Sequence, residues 1–315
     1  MDHVFCARNL KGGSFGTNPG PTRFLAVPAA AKAHEPGHAT PRRQWFDAVL
    51  AAAKSGVNPS TGRDTGDIVI YVHGFNTDAK VMLDRHRRIR KGLEALGYRG
   101  AVVSFDWPCA DSALNYLEDR TDAKTTAMRL VSDAIAPFSR FIDQGCEINV
   151  HVLAHSMGCF VVREAFDDAD DRPAVAATSW TISQVMFCAA DVSTDSMGTT
   201  AKSSSLYRHC VRLTNYASPY DAVLSISNVK RVGVSPRVGR TGLPAGAPAK
   251  AVNVDCGTYY DQHREDFAGI PNADHAWYFY DPTFLRDVHL TVQGVIDRAV
   301  FPTRIVTPGG LVLKD

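Results

Sequence analysis

The sequence predicts an α/β protein with a mainly parallel central sheet that helices cover on both faces. Two observations support this fold class. The chain contains short apolar runs, several of them rich in Val and Ile. These runs alternate with segments of helical periodicity, and that alternation is typical of parallel sheets. The chain has 315 residues, of which 45% are hydrophobic, which is enough for one large domain or two small ones.

The first 67 residues show the weakest patterns. Residues 42–54 predict a short helix, because Trp45, Phe46, Val49 and Leu50 fall on one face. Residues 4–7 and 23–27 are candidate strands. Residues 28–41 predict a loop rich in Ala, Pro and Gly, and residues 58–67 predict a polar turn.

From residue 67 onward, strands and helices alternate regularly. The predicted strands are residues 67–72, 101–105, 148–153, 185–189, 210–213 and 251–254, and we expect no strand after these. The predicted helices are residues 78–96, 110–142, 159–166 and 282–298. Sheets of this kind bind ligands outside the carboxyl ends of their strands, so candidate site residues are expected directly after the strands.

Charge and hydropathy argue against two kinds of partner. The net charge is +1, so no overall field attracts nucleic acid or an anionic membrane surface. The basic run at residues 85–91 lies in a predicted helix and is interpreted as a solvated face. No apolar run has the length of a membrane span. The oligomeric state is left open.

The cysteines and the N-terminus predict a cellular location. Seven cysteines are scattered without a Cys-x-x-Cys pair, which favours a reducing compartment over a disulfide framework. Residues 1–5 lack the basic and apolar regions of a signal peptide. We therefore expect a cytoplasmic protein.

One predicted strand end carries a serine in an informative setting. The strand at 148–153 leads into Ala154-His155-Ser156-Met157-Gly158, and a helical pattern begins at once. A sharp turn between strand and helix exposes a serine hydroxyl at the top of a sheet, and the helix N-terminus behind it favours negative charge. Ala154 stands where the G-x-S-x-G motif has its first glycine, and it keeps the small size required there. Ser156 is the candidate nucleophile.

Two other serines resemble the motif without its context. Ser14 lies in Gly-Gly-Ser-Phe-Gly, a perfect match that is surrounded by turn residues and is interpreted as loop. Ser196 lies in Thr-Asp-Ser-Met-Gly, with a larger Thr at the tight position. Only Ser156 has a predicted strand before it and a predicted helix after it.

A serine nucleophile needs a base, usually a histidine that a carboxylate orients. In this architecture the chain order is Ser, acid, His. Asp221, after the strand at 210–213, is the favoured acid, and Asp191, after the strand at 185–189, is the alternative. His275 lies between the last predicted strand and the last helix and is the favoured base.

Three further histidines were weighed as the base. His263, in the polar run 261–266, is the alternative to His275. His289 falls within the final predicted helix and is interpreted as a packed or surface residue. His155, adjacent to the nucleophile, is expected to line the pocket.

An oxyanion needs two backbone N–H donors. The first is predicted to be the N–H of Met157, the residue after the nucleophile. The second is predicted to be the N–H of Phe75, in the loop that follows the strand ending in His73-Gly74, because glycine lets the backbone turn closely there.

One segment matches a zinc-protease motif in sequence but lacks the helix that the motif requires. His34-Glu35-Pro36-Gly37-His38 matches H-E-x-x-H, but that motif needs a helix so that both histidines share one face. Pro costs about 3 kcal/mol inside a helix and Gly about 1. We expect a loop here, with no metal and no cofactor.

Taken together, the motifs resemble the α/β-hydrolase superfamily. More narrowly, they resemble a bacterial family of these hydrolases long catalogued as a domain of unknown function. The resemblance covers about residues 67–298. It rests on an ordered set of segments, namely His73-Gly74-Phe75-Asn76, Phe105-Asp106-Trp107-Pro108 with Tyr116 and Asp119 downstream, Ala154-His155-Ser156-Met157-Gly158, Ala190-Asp191-Val192, Tyr216-Ala217-Ser218-Pro219-Tyr220-Asp221 and Asp274-His275-Ala276-Trp277.

The resemblance implies the α/β-hydrolase fold and a triad of Ser156, Asp221 and His275, but no defined substrate. We expect residues 1–315 to form a single α/β-hydrolase domain. Residues 67–298 would be the catalytic core, and residues 1–66 an N-terminal extension of early strands, loop and short helix that adds strands or covers the pocket.

The expected activity is hydrolysis of a small-molecule carboxylic ester through an acyl-enzyme on Ser156. Amide hydrolysis, thioester cleavage and acyl transfer use the same triad and remain alternatives. A non-catalytic binding module is a further alternative. Side chains at strand exits are expected to line the substrate pocket, and these are His73, Gly74, Trp107, Tyr116, His155 and Trp277.

Overall fold

A computed structural model describes residues 1–109, 116–143, 146–201, 203–229 and 235–315. Its strands are β1 (Asp2–Lys11), β2 (Ser14–Val27), β3 (Lys54–Val57), β4 (Asp64–Val72), β5 (Ala101–Asp106), β6 (Cys146–His155), β7 (Ile182–Cys188), β8 (Cys210–Ala217), β9 (Ala251–Asp255), β10 (Arg304–Thr307) and β11 (Gly310–Leu313). They form one sheet in the order β10-β11-β9-β8-β7-β6-β4-β5-β1-β2, and β3 pairs with β4.

The helices lie mainly between consecutive strands. They are α1 (Arg42–Ala53), α2 (Ala79–Ala95), α3 (Tyr116–Arg129), α4 (Ala136–Asp143), α5 (Met157–Asp170), α6 (Pro173–Ala176), α7 (Ser204–Arg208), α8 (Ala222–Val229), α9 (Val238–Thr241), α10 (Gly257–Gln262), α11 (Ala273–Ala276) and α12 (Pro282–Val292). A π-helical segment, Leu130–Ile135, joins α3 to α4.

The centre of the sheet is parallel. Strand β6 pairs in parallel with β4 on one side and β7 on the other, and β8 and β9 continue the same direction. Only the hairpins β1–β2 and β10–β11 and the β3–β4 pair are antiparallel among the described strands. The predicted fold class is therefore confirmed. Ser156 directly follows β6, so it lies at the middle of the carboxyl edge.

Apolar side chains cover both faces of the sheet. One buried cluster contains Trp45 of α1, Phe138 of α4 and Phe160 of α5. The other contains Leu93 of α2 and Val288 of α12. Helices therefore pack on both sides, as the apolar strands predicted. None of the described helices is both long and apolar enough to cross a membrane.

The N-terminal strands are longer than predicted. Gly12 and Gly13 have φ of 58° and 83° and connect paired Lys11 and Ser14. Two left-handed residues between paired strands make the tight hairpin turn that matches strand twist. The interpretation of Ser14 as loop is therefore wrong, since it begins β2. The segment is a hairpin tip and not a turn before a helix, so Ser14 still lacks the setting of a nucleophile.

The remaining differences lie at element ends. Strand β3 was missed, and β4 begins at Asp64 within the predicted turn. The expectation of no strand after residue 254 is wrong, since β10 and β11 form a hairpin beside β9. The last helix ends at Val292, short of the predicted residue 298, and Gly294 follows with φ of 72°. Part of the long helical prediction at 110–142 lies outside the described residues, and the rest contains α3, the π-helical segment and α4.

Candidate active site

Ser156 occupies a strained turn between β6 and α5. Its φ and ψ are 56° and −125°, a region that residues other than glycine rarely adopt. Neighbouring backbone holds this conformation. The N–H of Ser156 donates to Cys188 (3.0 Å), and its carbonyl accepts from Cys159 and Asp191 (3.1 Å each). The end of β7 therefore supports the turn that presents the serine.

The residues flanking Ser156 have no room for larger side chains. Ala154 is fully buried. A Cβ at Gly158 would lie 2.5 Å from the carbonyl oxygens of both Val72 and His73. The first turn of α5 thus packs directly against the end of β4, and this close approach brings the loop after β4 beside the nucleophile.

Replacing Gly158 with alanine is expected to destabilise the fold by about 1–3 kcal/mol, because the new methyl group overlaps backbone that has no space to move. In an open helix the same change stabilises by about 0.5–1 kcal/mol. Urea unfolding measures the difference. Gly198→Ala is the matched control, since the nearest atom to its added Cβ is 3.9 Å away. A Gly158→Ala protein as stable as Gly198→Ala would contradict this packing.

The favoured base and acid are hydrogen-bonded. Nδ1 of His275 lies 2.7 Å from Oδ2 of Asp221, and both side chains are buried. Because the carboxylate accepts, Nδ1 carries the hydrogen and Nε2 is left as the acceptor. This is the tautomer that a general base requires.

Both partners are anchored by backbone contacts. The other carboxylate oxygen of Asp221 accepts from the N–H of Leu224 at 2.9 Å, at the start of α8. His275 lies in the short helix α11, whose Asp274 accepts from the N–H of Ala222 at 2.6 Å. The segment that carries the base is therefore tied to the helix that follows the acid. His275 lies between β9 and α12, as its position in the sequence predicts, and it does so within this short helix.

His155 supports the base from behind. Its Nε2–H donates to the backbone carbonyl of His275 at 2.8 Å, and the two rings lie 4.6 Å apart. Burial and the nearby His275 hold the pKa of His155 well below its usual value. A neutral ring that donates to backbone acts as a support, in agreement with the interpretation that His155 is not the base.

The alternative acid and bases have other partners. Asp191 is buried against Arg237, with Nε to Oδ1 at 2.9 Å. His263 lies 3.0 Å from Asp266 and 3.2 Å from Asp315. His289 is within α12, as predicted. The two carboxylates beside His263 are largely exposed, whereas His275 is hydrogen-bonded to the fully buried Asp221.

The loop after β4 touches the nucleophile. A Cβ at Gly74 would lie 2.8 Å from the Cβ of Ser156 and 3.0 Å from Nδ1 of His155. Only glycine permits this contact. The backbone of Gly74 therefore lies beside Ser156. On the other side, Met157 is the first residue of α5, and the first N–H groups of a helix have no partner within it.

A buried charged network lies behind this loop. Asp106, at the end of β5, accepts from Nε of Arg8 (2.9 and 3.0 Å), Nε2 of His34 (2.7 Å) and Nε2 of His73 (3.0 Å). Burial alone would raise the pKa of Asp106, but Arg8, His34 and His73 hold it well below 3.8. Asp106 belongs to one of the segments that resemble the hydrolase family, but the sequence pattern assigned it no role. The feature that could have indicated a role is a carboxylate at the end of a mostly apolar strand.

The network keeps His73 protonated. Burial by itself lowers the pKa of His73, but contacts with Asp106 and Cys109 outweigh it and raise the pKa from 6.5 to about 9. Because the folded-state pKa is the higher one, the resulting stability is fully present below pH 6.5 and is lost as the pH rises through about 9.

We expect His73→Gln to lower the free energy of unfolding by several kcal/mol at about pH 6, and by on the order of 3 kcal/mol less at about pH 10. Urea titrations of both proteins at the two pH values measure this difference. An equal loss of stability at both pH values would show that His73 carries no extra proton in the folded state.

The same cluster contains a possible set of metal ligands. Cys6, His34 and Asp106 offer ligand atoms within 4.8 Å of one another. However, the guanidinium of Arg8 already binds both oxygens of Asp106, and a cation beside it would be repelled. The arrangement is better explained as a charge network. His34 and His38 do not share a helix face, because residues 36–38 form a single 3₁₀ turn.

The predicted pocket residues have diverse surroundings. Gly74 and His155 contact the nucleophile segment, as described above. Trp107 is fully buried, stacks on His73 at 5.3 Å, and donates from Nε1 to the carbonyl of His73 at 2.7 Å. Trp277 is buried among aromatic rings including Tyr278. The side chain of Tyr116 lies outside the described residues. A role in contacting substrate stays a prediction for all six.

Fold and family agree on the class of protein. The parallel sheet, with a serine at the central strand-to-helix turn, defines an α/β-hydrolase fold. Residues 51–251 match the family described as "Alpha/beta hydrolase of unknown function (DUF900)", and the chain belongs to that family. The matched range includes Ser156 and Asp221 but ends before His275. No curated protein sequence matches the chain.

Several solved structures resemble this one. Lipase B of Aspergillus fumigatus is 16% identical with a TM-score of 0.41, and the match covers 88% of this chain and 63% of that one. Esterase B of Lactobacillus rhamnosis is 10% identical with a TM-score of 0.37, covering 72% and 75%. A cutinase-like protein from Cryptococcus sp. is 10% identical with a TM-score of 0.33, covering 76% and 96%. Likeness at this level carries no argument about activity.

Proposed function

We propose that the protein is a serine hydrolase that cleaves small carboxylic esters through an acyl-enzyme on Ser156. The observation that carries the proposal is the 2.7 Å hydrogen bond between Nδ1 of His275 and Oδ2 of Asp221. It joins a histidine and a carboxylate in the chain order that follows a serine nucleophile in this fold, and it leaves Nε2 as the proton acceptor.

In the proposed reaction, Ser156 Oγ attacks the acyl carbon while Nε2 of His275 takes its proton. Asp221 holds the imidazole in the correct tautomer and stabilises the imidazolium that forms. The N–H groups of Phe75 and Met157 bind the oxyanion. The imidazolium then protonates the leaving alkoxide. A water molecule, activated by the same histidine, attacks the acyl-enzyme and releases the carboxylic acid and Ser156.

The proposed reaction uses these side chains, the two backbone N–H groups and water. Neutral His155 donates to the carbonyl of His275 and thereby fixes the backbone that carries the base. The strained backbone of Ser156 holds this residue at the end of β6, beside Gly74 and the first turn of α5. In the proposed reaction, the oxyanion that forms on every acyl substrate would lie at this place.

A panel of p-nitrophenyl esters of increasing acyl length, together with matched anilides and thioesters, tests the proposal. We expect the ester series to be turned over and Ser156→Ala to abolish that turnover. Turnover of anilides or thioesters in preference to esters would identify an amidase or a thioesterase on the same residues. If no acyl substrate in the panel is cleaved in a Ser156-dependent manner, the proposal is wrong.

A further inference from the structure

The side chain of His73 donates two hydrogen bonds. Nε2 lies 3.0 Å from Oδ1 of Asp106, and Nδ1 lies 2.8 Å from the carbonyl oxygen of Gly74. A carbonyl oxygen only accepts, and a carboxylate held ionised by Arg8 also accepts. Both ring nitrogens therefore carry hydrogen, so the geometry itself requires an imidazolium.

We propose that His73 is a positioning residue, whose imidazolium, held by Asp106 and Arg8, fixes the Gly74–Phe75 peptide so that the N–H of Phe75 faces the oxyanion. The inference rests on the proposed function, in which that N–H is an oxyanion donor. It assigns a role to the charged network behind the loop.

The direction of the Phe75 N–H depends on the geometry of one peptide unit. The carbonyl of Gly74 and the N–H of Phe75 belong to the same planar trans peptide, so they point in opposite directions. A charged donor on the carbonyl makes a stronger bond than a neutral one. It fixes the orientation of the N–H and increases its positive charge. Donors already oriented before the reaction cost no reorganisation when the oxyanion forms.

The loop after β4 needs such a restraint because it contains Gly74, and glycine is the residue type with the most flexible backbone. Gly74 must lack a side chain to lie against Ser156, and glycine has the widest choice of backbone conformations. The indole of Trp107 fixes the preceding carbonyl, that of His73. His73 fixes the next one. Together they determine both peptides that flank Gly74.

The restraint depends on residues far away in sequence. Arg8 lies on β1, and its guanidinium also donates to the carbonyls of Cys109 and Thr77 (3.1 Å each). It therefore joins Asp106 to the segment that follows Phe75. Arg8 and His34 precede the family match at residues 51–251. The N-terminal hairpin thus takes part in the site as well as extending the sheet.

The protonation state is tested first, without reference to activity. Protein labelled with ¹⁵N-histidine gives ring ¹⁵N shifts that distinguish an imidazolium from either neutral tautomer, and His73→Gln assigns the signal. We expect two protonated nitrogens on His73 at neutral pH and loss of one proton near pH 9. A neutral His73 at neutral pH would overturn the inference, whatever the protein catalyses.

The kinetic test uses two substitutions of His73, to asparagine and to glutamine, whose side-chain amides each retain one of its two hydrogen bonds. Asparagine keeps an amide donor near the position of Nδ1, and glutamine keeps one near Nε2. We expect His73→Gln to lower kcat by about 100-fold and His73→Asn by about 10-fold, with KM nearly unchanged, since loss of a whole oxyanion donor costs about 10²–10³. His289→Gln, a buried histidine on α12, is the control and should leave kcat unchanged.

The pH profile separates positioning from mere structural support. Asp106, Cys109 and His155 interact with His73 itself. Arg8, His34 and Cys6 contact its partner Asp106. We expect kcat of the wild type to fall as the pH rises through about 9, and this fall to be absent in His73→Asn.

Two results would contradict the inference. If folded His73→Gln has the same Ser156-dependent turnover as the wild type, this inference alone is overturned. Absence of Ser156-dependent turnover in the wild type would overturn it together with the proposed function.

Discussion

Replacing Ser156 with alanine lowers kcat for ester hydrolysis by on the order of 10⁴–10⁶, the expected loss when a triad nucleophile is removed. Alanine fits the space of the serine and removes only Oγ, so no acyl-enzyme forms. Folding is expected to persist, because the turn is held by backbone hydrogen bonds to Cys188, Cys159 and Asp191. Initial rates with the preferred p-nitrophenyl ester measure the loss.

The chain offers two matched controls for this substitution. Ser14 lies at the tip of the β1–β2 hairpin, and Ser196 lies in a 3₁₀ turn where its hydroxyl donates to the carbonyl of Ser193 at 2.7 Å. Both stand in a five-residue motif that resembles the one around Ser156, without its strand-to-helix turn. Ser14→Ala and Ser196→Ala should retain wild-type rates. If either loses activity as severely as Ser156→Ala, the nucleophile has been assigned wrongly.

Asp221→Asn is expected to lower kcat by about 10⁴, because an amide in place of the carboxylate stabilises the wrong tautomer of the base and no longer balances the imidazolium. KM should change little, since Asp221 touches His275 and backbone rather than substrate. Steady-state kinetics on the preferred ester give both values.

Asp191→Asn is the informative comparison for the acid. Asp191 is ion-paired with Arg237 in the interior, and breaking a buried pair typically costs about 3–5 kcal/mol of stability. We therefore expect a less stable protein whose kcat stays close to the wild-type value under folding conditions. A folded but inactive Asp191→Asn, alongside an active Asp221→Asn, would reverse the assignment of the acid.

The features that the sequence predicted correctly are those that depend on local residue patterns. The central strands are rich in apolar residues and alternate with segments of helical periodicity, so the parallel sheet could be predicted without knowledge of contacts. Ser156 was separated from Ser14 and Ser196 in the same way, because a strand and a helix flank only Ser156. The hydrogen bond between His275 and Asp221 agrees with the chain order of the triad, while the pocket residues stay predictions.

The features that were missed have two kinds of cause. The β1–β2 hairpin was readable, since Gly12-Gly13 between strand-like runs is a two-residue turn signal. The short strands β10 and β11 also flank a two-residue turn, Pro308-Gly309. The charged network was not readable, because Arg8 and Asp106 are 98 residues apart. Only the pairing of β1 with β5 brings them together.

The most direct test of the central claim is to trap the covalent intermediate. The protein is treated with an aryl phosphonate ester, which phosphonylates an activated serine, and the modified peptide is identified by mass spectrometry. We expect a single adduct on Ser156 in the wild type, and none on His275→Gln treated for the same time. An unmodified Ser156, or an adduct that forms equally fast without His275, would contradict the account.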